Sequence, residues 1–250
     1  MSTRAMMAGL VLLFLASGCS HPGSGLPNGS FERGKAEYEG ERYYDAIESL
    51  KLFVRRSPTD ARVDEAQYMI GMARFDNEEY PVAAVEFEIL RTDYPNSDLV
   101  EDAWLMEGLC YVEQVPSIHL EQSITRRALE HYQRFLREMP ASDRRGEAQE
   151  KIDELQLHLD RKTMAGIRLY DRLGRDRAAL VSVDAMLDER RDSALRADAL
   201  LLAGDLHEEL DELPEARARW QQVVDEFGMT SLAPEALRRL ERTRGEAGAR

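Results

Sequence analysis

The residue whose surroundings most plainly invite chemistry is Cys19. Arg4 is followed by an uncharged apolar run from Ala5 to Ala16, and Ser17 and Gly18 lead directly into the cysteine. A positive end, a short hydrophobic stretch and small residues at a cut are the anatomy of an export signal. The run is about a dozen residues, whereas a helix crossing roughly 30 Å of hydrocarbon needs about twenty, so it does not read as a permanent span. Cleavage after Gly18 would make Cys19 the new N-terminus. Acyl chains attached there, contributing about 0.8 kcal/mol per buried methylene, hold a protein on a membrane without a spanning helix.

Ala16-Ser17-Gly18-Cys19 resembles the lipobox of bacterial lipoproteins, with the preferred leucine one place early at Leu15. Residues 1–18 are therefore expected to be a lipoprotein signal peptide. Residues 19–30 are expected to be a lipidated, flexible tether, because HPGSGLPNGS is rich in Gly, Pro and Ser.

Little else offers chemistry. His21, His119, His131, His158 and His207 are scattered, with no His-Glu-x-x-His, no Cys-x-x-Cys and no metal-ligand spacing. There is no phosphate-cradling glycine loop and no Gly-x-Ser-x-Gly elbow. His207 reads as a packed helical histidine. Cys110 lies in an apolar helical stretch and has no disulfide partner once Cys19 is lipidated. No enzyme, no metal and no cofactor beyond the covalent lipid are expected. The net charge of −14, which becomes −15 when the signal segment with its single Arg4 is removed, argues against nucleic acid, whose binding depends on Lys and Arg neutralising phosphates.

The elements that carry these residues are announced by repetition. After Gly34 come Ala46, Leu50, Phe53 and Pro58, at offsets of 12, 16, 19 and 24. Gly71 is followed at the same offsets by Ala83, Phe87, Leu90 and Pro95, and Gly204 by Ala216, Trp220, Val223 and Gly228. A copy starting at Gly108 has Ala128, Tyr132, Phe135 and Pro140, each eight residues late, which marks an insertion between its helices. These are the offsets of the tetratricopeptide repeat. Glycine and alanine are small where two antiparallel helices approach, a large residue one turn on fills the gap, and proline ends the second helix.

Pro81 and Pro214 suit helix first turns, and Asn96-Ser97-Asp98 and Ser142-Asp143 offer N-caps. From Arg144 to Leu173 a proline-free stretch predicts one helix of about 45 Å, ended by Gly174. A second helix from Asp176 to Leu187 should then place Ala178 and Ala179 in the small-residue slot. The expected fold is all-α: a tetratricopeptide-repeat solenoid of five helix pairs (31–58, 61–95, 98–140, 144–191, 194–228), with an extended first helix in the fourth and a C-terminal helix and frayed tail over 229–250.

First helices of such repeats line a shared groove. Tyr68, Met72 and Phe75 fall at i, i+4 and i+7 on the face flanking Gly71, Tyr38 occupies the place of Phe75 in the first repeat, and Leu105 continues the line in the third. These residues could receive an extended or amphipathic peptide, methionine adapting to varied partners, or could be packed between helices.

The lipobox, the tether, five repeats and the segment PSIHLEQSITRRALEHYQRFLREMPAS together resemble the BamD family of outer-membrane β-barrel assembly lipoproteins. The matching positions are Ser117, Leu120, Gln122, Thr125, Ala128, Phe135, Pro140 and Ser142, with Glu121 for the family's aspartate. Ile152-Asp153-Glu154-Leu155 and Leu169-Tyr170 also look like the family's long fourth-repeat helix. The resemblance implies a non-catalytic scaffold, lipid-anchored on the periplasmic face of the outer membrane. Its implied partners are the POTRA domains of a BamA-like barrel protein, the C-terminal segments of unfolded outer-membrane proteins, and other assembly-complex lipoproteins. A pilotin or cell-envelope coordinator would share the anchor and the repeats, and remains the alternative.

Overall fold

The computed structural model describes Gly23 and residues 25–247; Cys19, the signal segment and residues 248–250 lie outside the described residues. Eleven helices, and no strand, occur among the described residues. They are Phe31–Glu39 (α1), Tyr43–Arg56 (α2), Val63–Asp76 (α3), Tyr80–Asp93 (α4), Val100–Val112 (α5), Ser123–Glu138 (α6), Arg145–Arg172 (α7), Asp176–Glu189 (α8), Arg196–Glu209 (α9), Leu213–Phe227 (α10) and Ala233–Ala247 (α11). The first ten fall into the five expected pairs. The helices gather into two compact units, one through Glu78 with α1 to α3 and one from Glu79 with α4 to α11. The division falls inside the second repeat, which the periodicity treats as one pair. Within each unit every helix packs on its neighbour in sequence.

Close approach explains the glycine spacing. A Cβ built on Gly34 would lie 2.5 Å from Leu50 Cγ, one on Gly108 2.6 Å from Tyr132 Cζ, and one on Gly204 would run into the Trp220 indole. The fourth repeat reverses the sizes. Ile167, 1% exposed, stands 12 residues before the fully buried Ala179 and 16 before the fully buried Val183, so the bulk sits on α7 and the smaller residue faces it from α8. Ala178, expected to share the small slot, is exposed; Ala179 fills it alone.

Turns repeat as faithfully as cores. Glu41, Glu78, Gly174 and Asp211 all have φ near +60°, the left-handed conformation that closes a helix end. Arg42, Arg175 and Glu212 then donate their N–H groups back to Glu37, Tyr170 and His207. Pro81 and Pro214 lie in first turns as expected. The N-caps differ from expectation: α5 and α7 begin after Leu99 and Arg144, without side-chain caps. Ser97 and Ser142 instead accept from the N–H two residues ahead, at 3.1 Å each, as Ser193 does at the same distance and Asp60 at 3.0 Å. A short turn thus intervenes before α3, α5, α7 and α9 and takes the serine or aspartate out of capping range.

Ser30 caps α1 by accepting from Arg33 N–H, and just before it Leu26 N–H donates to the Gly23 carbonyl and Ser30 N–H to that of Pro27; residues 19–22 and 24 of the expected tether lie outside the described residues. The C-terminal segment is helical to Ala247, with Ala236, Leu240 and Thr243 buried. Arg239 donates to both Asp205 oxygens, at 2.6 and 2.8 Å, and the Trp220 indole N–H donates to the same carboxylate at 3.0 Å, so α9, α10 and α11 share one charged knot. Among the described residues no helix is long and apolar enough to cross a membrane.

Two glycines separate space from propensity. Gly204→Ala should lower stability by about 1–2 kcal/mol, overpacking against Trp220 outweighing the gain in helix propensity. Gly166→Ala on α7, where a Cβ would meet nothing within 4 Å, should raise it by up to ~1 kcal/mol. Urea melts decide, and equal shifts in the two variants would contradict the packing account.

Candidate peptide groove and buried polar cluster

Tyr38 lies in the last turn of α1 and Asp76 ends α3. The packing of these helices brings them together, and the Tyr38 hydroxyl donates to Asp76 Oδ2 at 2.6 Å. The Tyr43 ring lies 5.9 Å from that of Tyr38, tilted by 53°, a favoured aromatic geometry. Burial first, and then the bond to Asp76, push the Tyr38 phenol well above its ordinary pKa, with a smaller push from Tyr68 on α3; it stays a neutral donor. Tyr43 is raised by burial and then by Asp76 and Glu41. Met72 and Phe75 are half-buried, as are Tyr38 and Tyr68. Four of the five expected groove residues therefore share the first unit as a partly covered aromatic and thioether face. Leu105 does not join it: at 4% exposure it presents no surface to a ligand, because the apolar line along α5 points into packing. Asp76 and Tyr43 escaped the sequence reading, since nothing in spacing shows a contact made across 38 residues.

The second unit holds a polar cluster under Trp104. Glu107, 3% exposed, meets Arg91 Nε at 3.2 Å and accepts from the Tyr111 hydroxyl at 3.1 Å, which in turn accepts from Arg127. Arg91 stacks 3.9 Å over the Trp104 ring. Burial raises the Glu107 pKa, opposed chiefly by Arg91. His131, scattered in sequence, lies here: its Nε2 is 2.8 Å from the Trp104 carbonyl oxygen, which can only accept, so Nε2 carries the proton. Burial pushes the His131 pKa down to about 4. A small open cleft of about 190 Å³ borders these residues, but the buried Glu107 is tied to Arg91 and Tyr111 and His131 to the Trp104 carbonyl, so the cluster reads as structural. His207 is likewise packed, with Nδ1 2.7 Å from Glu212 Oε2, and the buried Cys110 thiol is free and pushed up to about 12 by burial, far from a reactive thiolate.

The insertion before α6 is organised by Gln122, which is fully buried. Its Nε2 donates to the Ser117 and Leu120 carbonyls at 2.9 and 3.0 Å, and its Oε1 accepts from Thr125 at 2.6 Å. Lys162 of α7 donates to the Ile118 and Leu120 carbonyls at 3.1 and 2.7 Å, pinning the loop to the long helix. Folding also assembles an acidic trio that spacing did not reveal: Asp171, Asp176 and Glu209 place carboxylate oxygens within 4.8 Å of one another. Burial and then the two aspartates raise the Glu209 pKa; three surface carboxylates alone specify no ion.

His131 should leave a signature in acid. In the unfolded chain it takes up a proton near pH 6.5, while in the folded chain it stays neutral to about 4, so stability falls as pH drops through that window. His131→Gln keeps a donor for the Trp104 carbonyl and removes the titration. Relative to the variant, the native chain should lose roughly 3 kcal/mol between pH 7 and 4, read from denaturant melts at each pH. The raised Glu107 pKa acts in the opposite direction but is common to both proteins.

A family model described as YfiO, outer membrane lipoprotein, matches residues 25–222. The outer membrane protein assembly factor BamD of Caulobacter vibrioides is 22% identical over 170 residues, which cover 68% of this chain. The match takes in 56% of that relative, so the chain spans little more than half its length. Among solved structures, a thermophilic tetratricopeptide-repeat protein of Thermus thermophilus is similar at 16% identity and a TM-score of 0.32, over 84% of this chain and 94% of that one. The family match runs from the start of the described chain through α9 and most of α10, taking in the Gln122 loop and the long α7: the chain belongs to the YfiO family of outer membrane lipoproteins.

Proposed function

We propose that this chain is a non-enzymatic scaffold of the outer-membrane β-barrel assembly machinery. It is tethered through a lipid on Cys19 to the periplasmic face of the outer membrane, binds unfolded outer-membrane protein segments, and engages the POTRA domains of a BamA-like partner. The observation that carries this reading is the family match over residues 25–222, which begins just after the expected lipidation site. The Caulobacter relative, named as an assembly factor, supports it. The face of Tyr38, Tyr68, Met72 and Phe75 supports substrate binding: its rings and thioether suit the apolar side chains of an extended segment, and the Tyr38–Asp76 bond holds one wall in place.

Affinity purification of the full chain from detergent-solubilised membranes should recover a POTRA-containing barrel protein; recovery of secretin components in its place would favour a pilotin. Replacing Tyr68 and Met72 together by alanine should weaken capture of aromatic-rich outer-membrane protein peptides by about tenfold, on the scale of two lost hot-spot side chains, with little change in melting temperature. A large loss of melting temperature would place these side chains in packing instead. Cys19→Ala should move the chain from the membrane to the soluble fraction.

A further inference from the structure

Beside α7 the second unit carries a half-open groove of about 790 Å³, lined by Ile118, Met164, Leu169 and Leu195 and by the charged residues Arg161, Lys162, Arg168, Arg172 and Asp198. Its floor is opened by Ala165 and Gly166, the latter with no atom within 4 Å of where a Cβ would stand. Four cations thus face one carboxylate in a chain whose net charge is −14. The single carboxylate is only loosely engaged, Asp198 lying 3.8 Å from Arg168 with both side chains well exposed. Lys162 is held by two neutral carbonyls, which leave its charge uncompensated. Arg161 and Arg172 have no carboxylate partner among the described residues. Arg144, Arg190, Arg196, Arg219 and Arg239 each meet a carboxylate; on this face only Arg168 does, so the groove keeps an excess of positive charge.

From this geometry we infer that the groove is a docking site for an acidic segment of a partner polypeptide that also carries apolar side chains. The cations are strung along α7 rather than converging. Arg161, Arg168 and Arg172 fall at i, i+7 and i+11 on one helix face, over roughly 16 Å at 1.5 Å per residue. A phosphate group needs donors that converge on one point, whereas a run of carboxylates on a polypeptide matches spaced charges. An extended segment of about five residues covers the same length at 3.3 Å per residue. The apolar lining between the cations takes the intervening side chains, and the Gln122-braced insertion walls one end through Ile118 and His119. The site lies wholly in the second unit and does not rest on the function proposed for the aromatic face of the first.

The test is direct binding, by fluorescence anisotropy, of a labelled synthetic peptide alternating glutamate with leucine and phenylalanine to the detergent-solubilised full chain. The peptide should bind, and its affinity should fall with added salt. Exchanging its glutamates for glutamines, or introducing Arg161→Glu with Arg172→Glu, should each weaken binding about tenfold or more, the scale of two reversed surface charges. Gly166→Trp, placed where a side chain meets nothing, should also weaken binding while the circular dichroism spectrum and melting temperature are kept. Equal binding of the glutamine peptide, or unchanged binding by both variants, would overturn the inference. So would displacement of the peptide by inorganic phosphate at low millimolar concentration, or by phosphatidylglycerol in mixed micelles when the acidic peptide itself binds no better than its glutamine form, since either result assigns the groove to a phosphate or lipid headgroup.

Discussion

The constraint on which this structure rests is the distance between paired helices at one glycine per repeat. Where Gly34, Gly108 and Gly204 stand, Leu50, Tyr132 and Trp220 occupy the space that a side chain would need. The ring or branched chain of one helix lies directly against the backbone of the other, burying apolar area without a void. Everything that repeats follows from this approach. The alanine at offset 12 keeps the other side of the contact narrow, and the helices can then be joined only by a tight turn. That turn is why Glu41, Glu78 and Asp211 accept a left-handed backbone that non-glycine residues ordinarily avoid, at a cost on the order of 1 kcal/mol each.

Because offsets encode backbone proximity, they carried the helix pairing, the long α7, the insertion and the first-turn prolines into the sequence in readable form. Family resemblance came through the same channel. Gln122 and Thr125, quoted as matching positions, prove to be the brace of the insertion loop, and that internal hydrogen bonding gives a physical reason for those residue types at that spacing.

What remained illegible depends on side chains meeting across many residues. The Tyr38–Asp76 bond, the Glu107 cluster with His131 and the acidic trio of α7, α8 and α9 join residues whose offsets follow no repeat. The N-caps expected at Ser97 and Ser142 are displaced because an extra turn precedes α5 and α7, a conformational detail that serine and aspartate signal no differently from a cap. Leu105 was assigned to a binding line because helical periodicity reports a shared face but not whether that face is covered. The fourth repeat looked degenerate only because its reference position holds Ile167 and not glycine; counted from Ile167, Ala179, Val183 and Met186 fall on the common offsets.

That reversal bears on how the chain finds its own order. An array of similar helix pairs is prone to mispairing, since a first helix with a glycine notch could seat the bulky residue of any second helix. Ile167 fills the notch of α7, and Val183 is too small to fill the notch of another repeat. The bulky Trp220, Tyr132 or Leu50 therefore meets a collision on α7, and α8 leaves a void against any other first helix. The longest of the described helices is in this way shaped for α8, and the middle of the second unit carries a pairing of sizes that the glycine-notched repeats do not share.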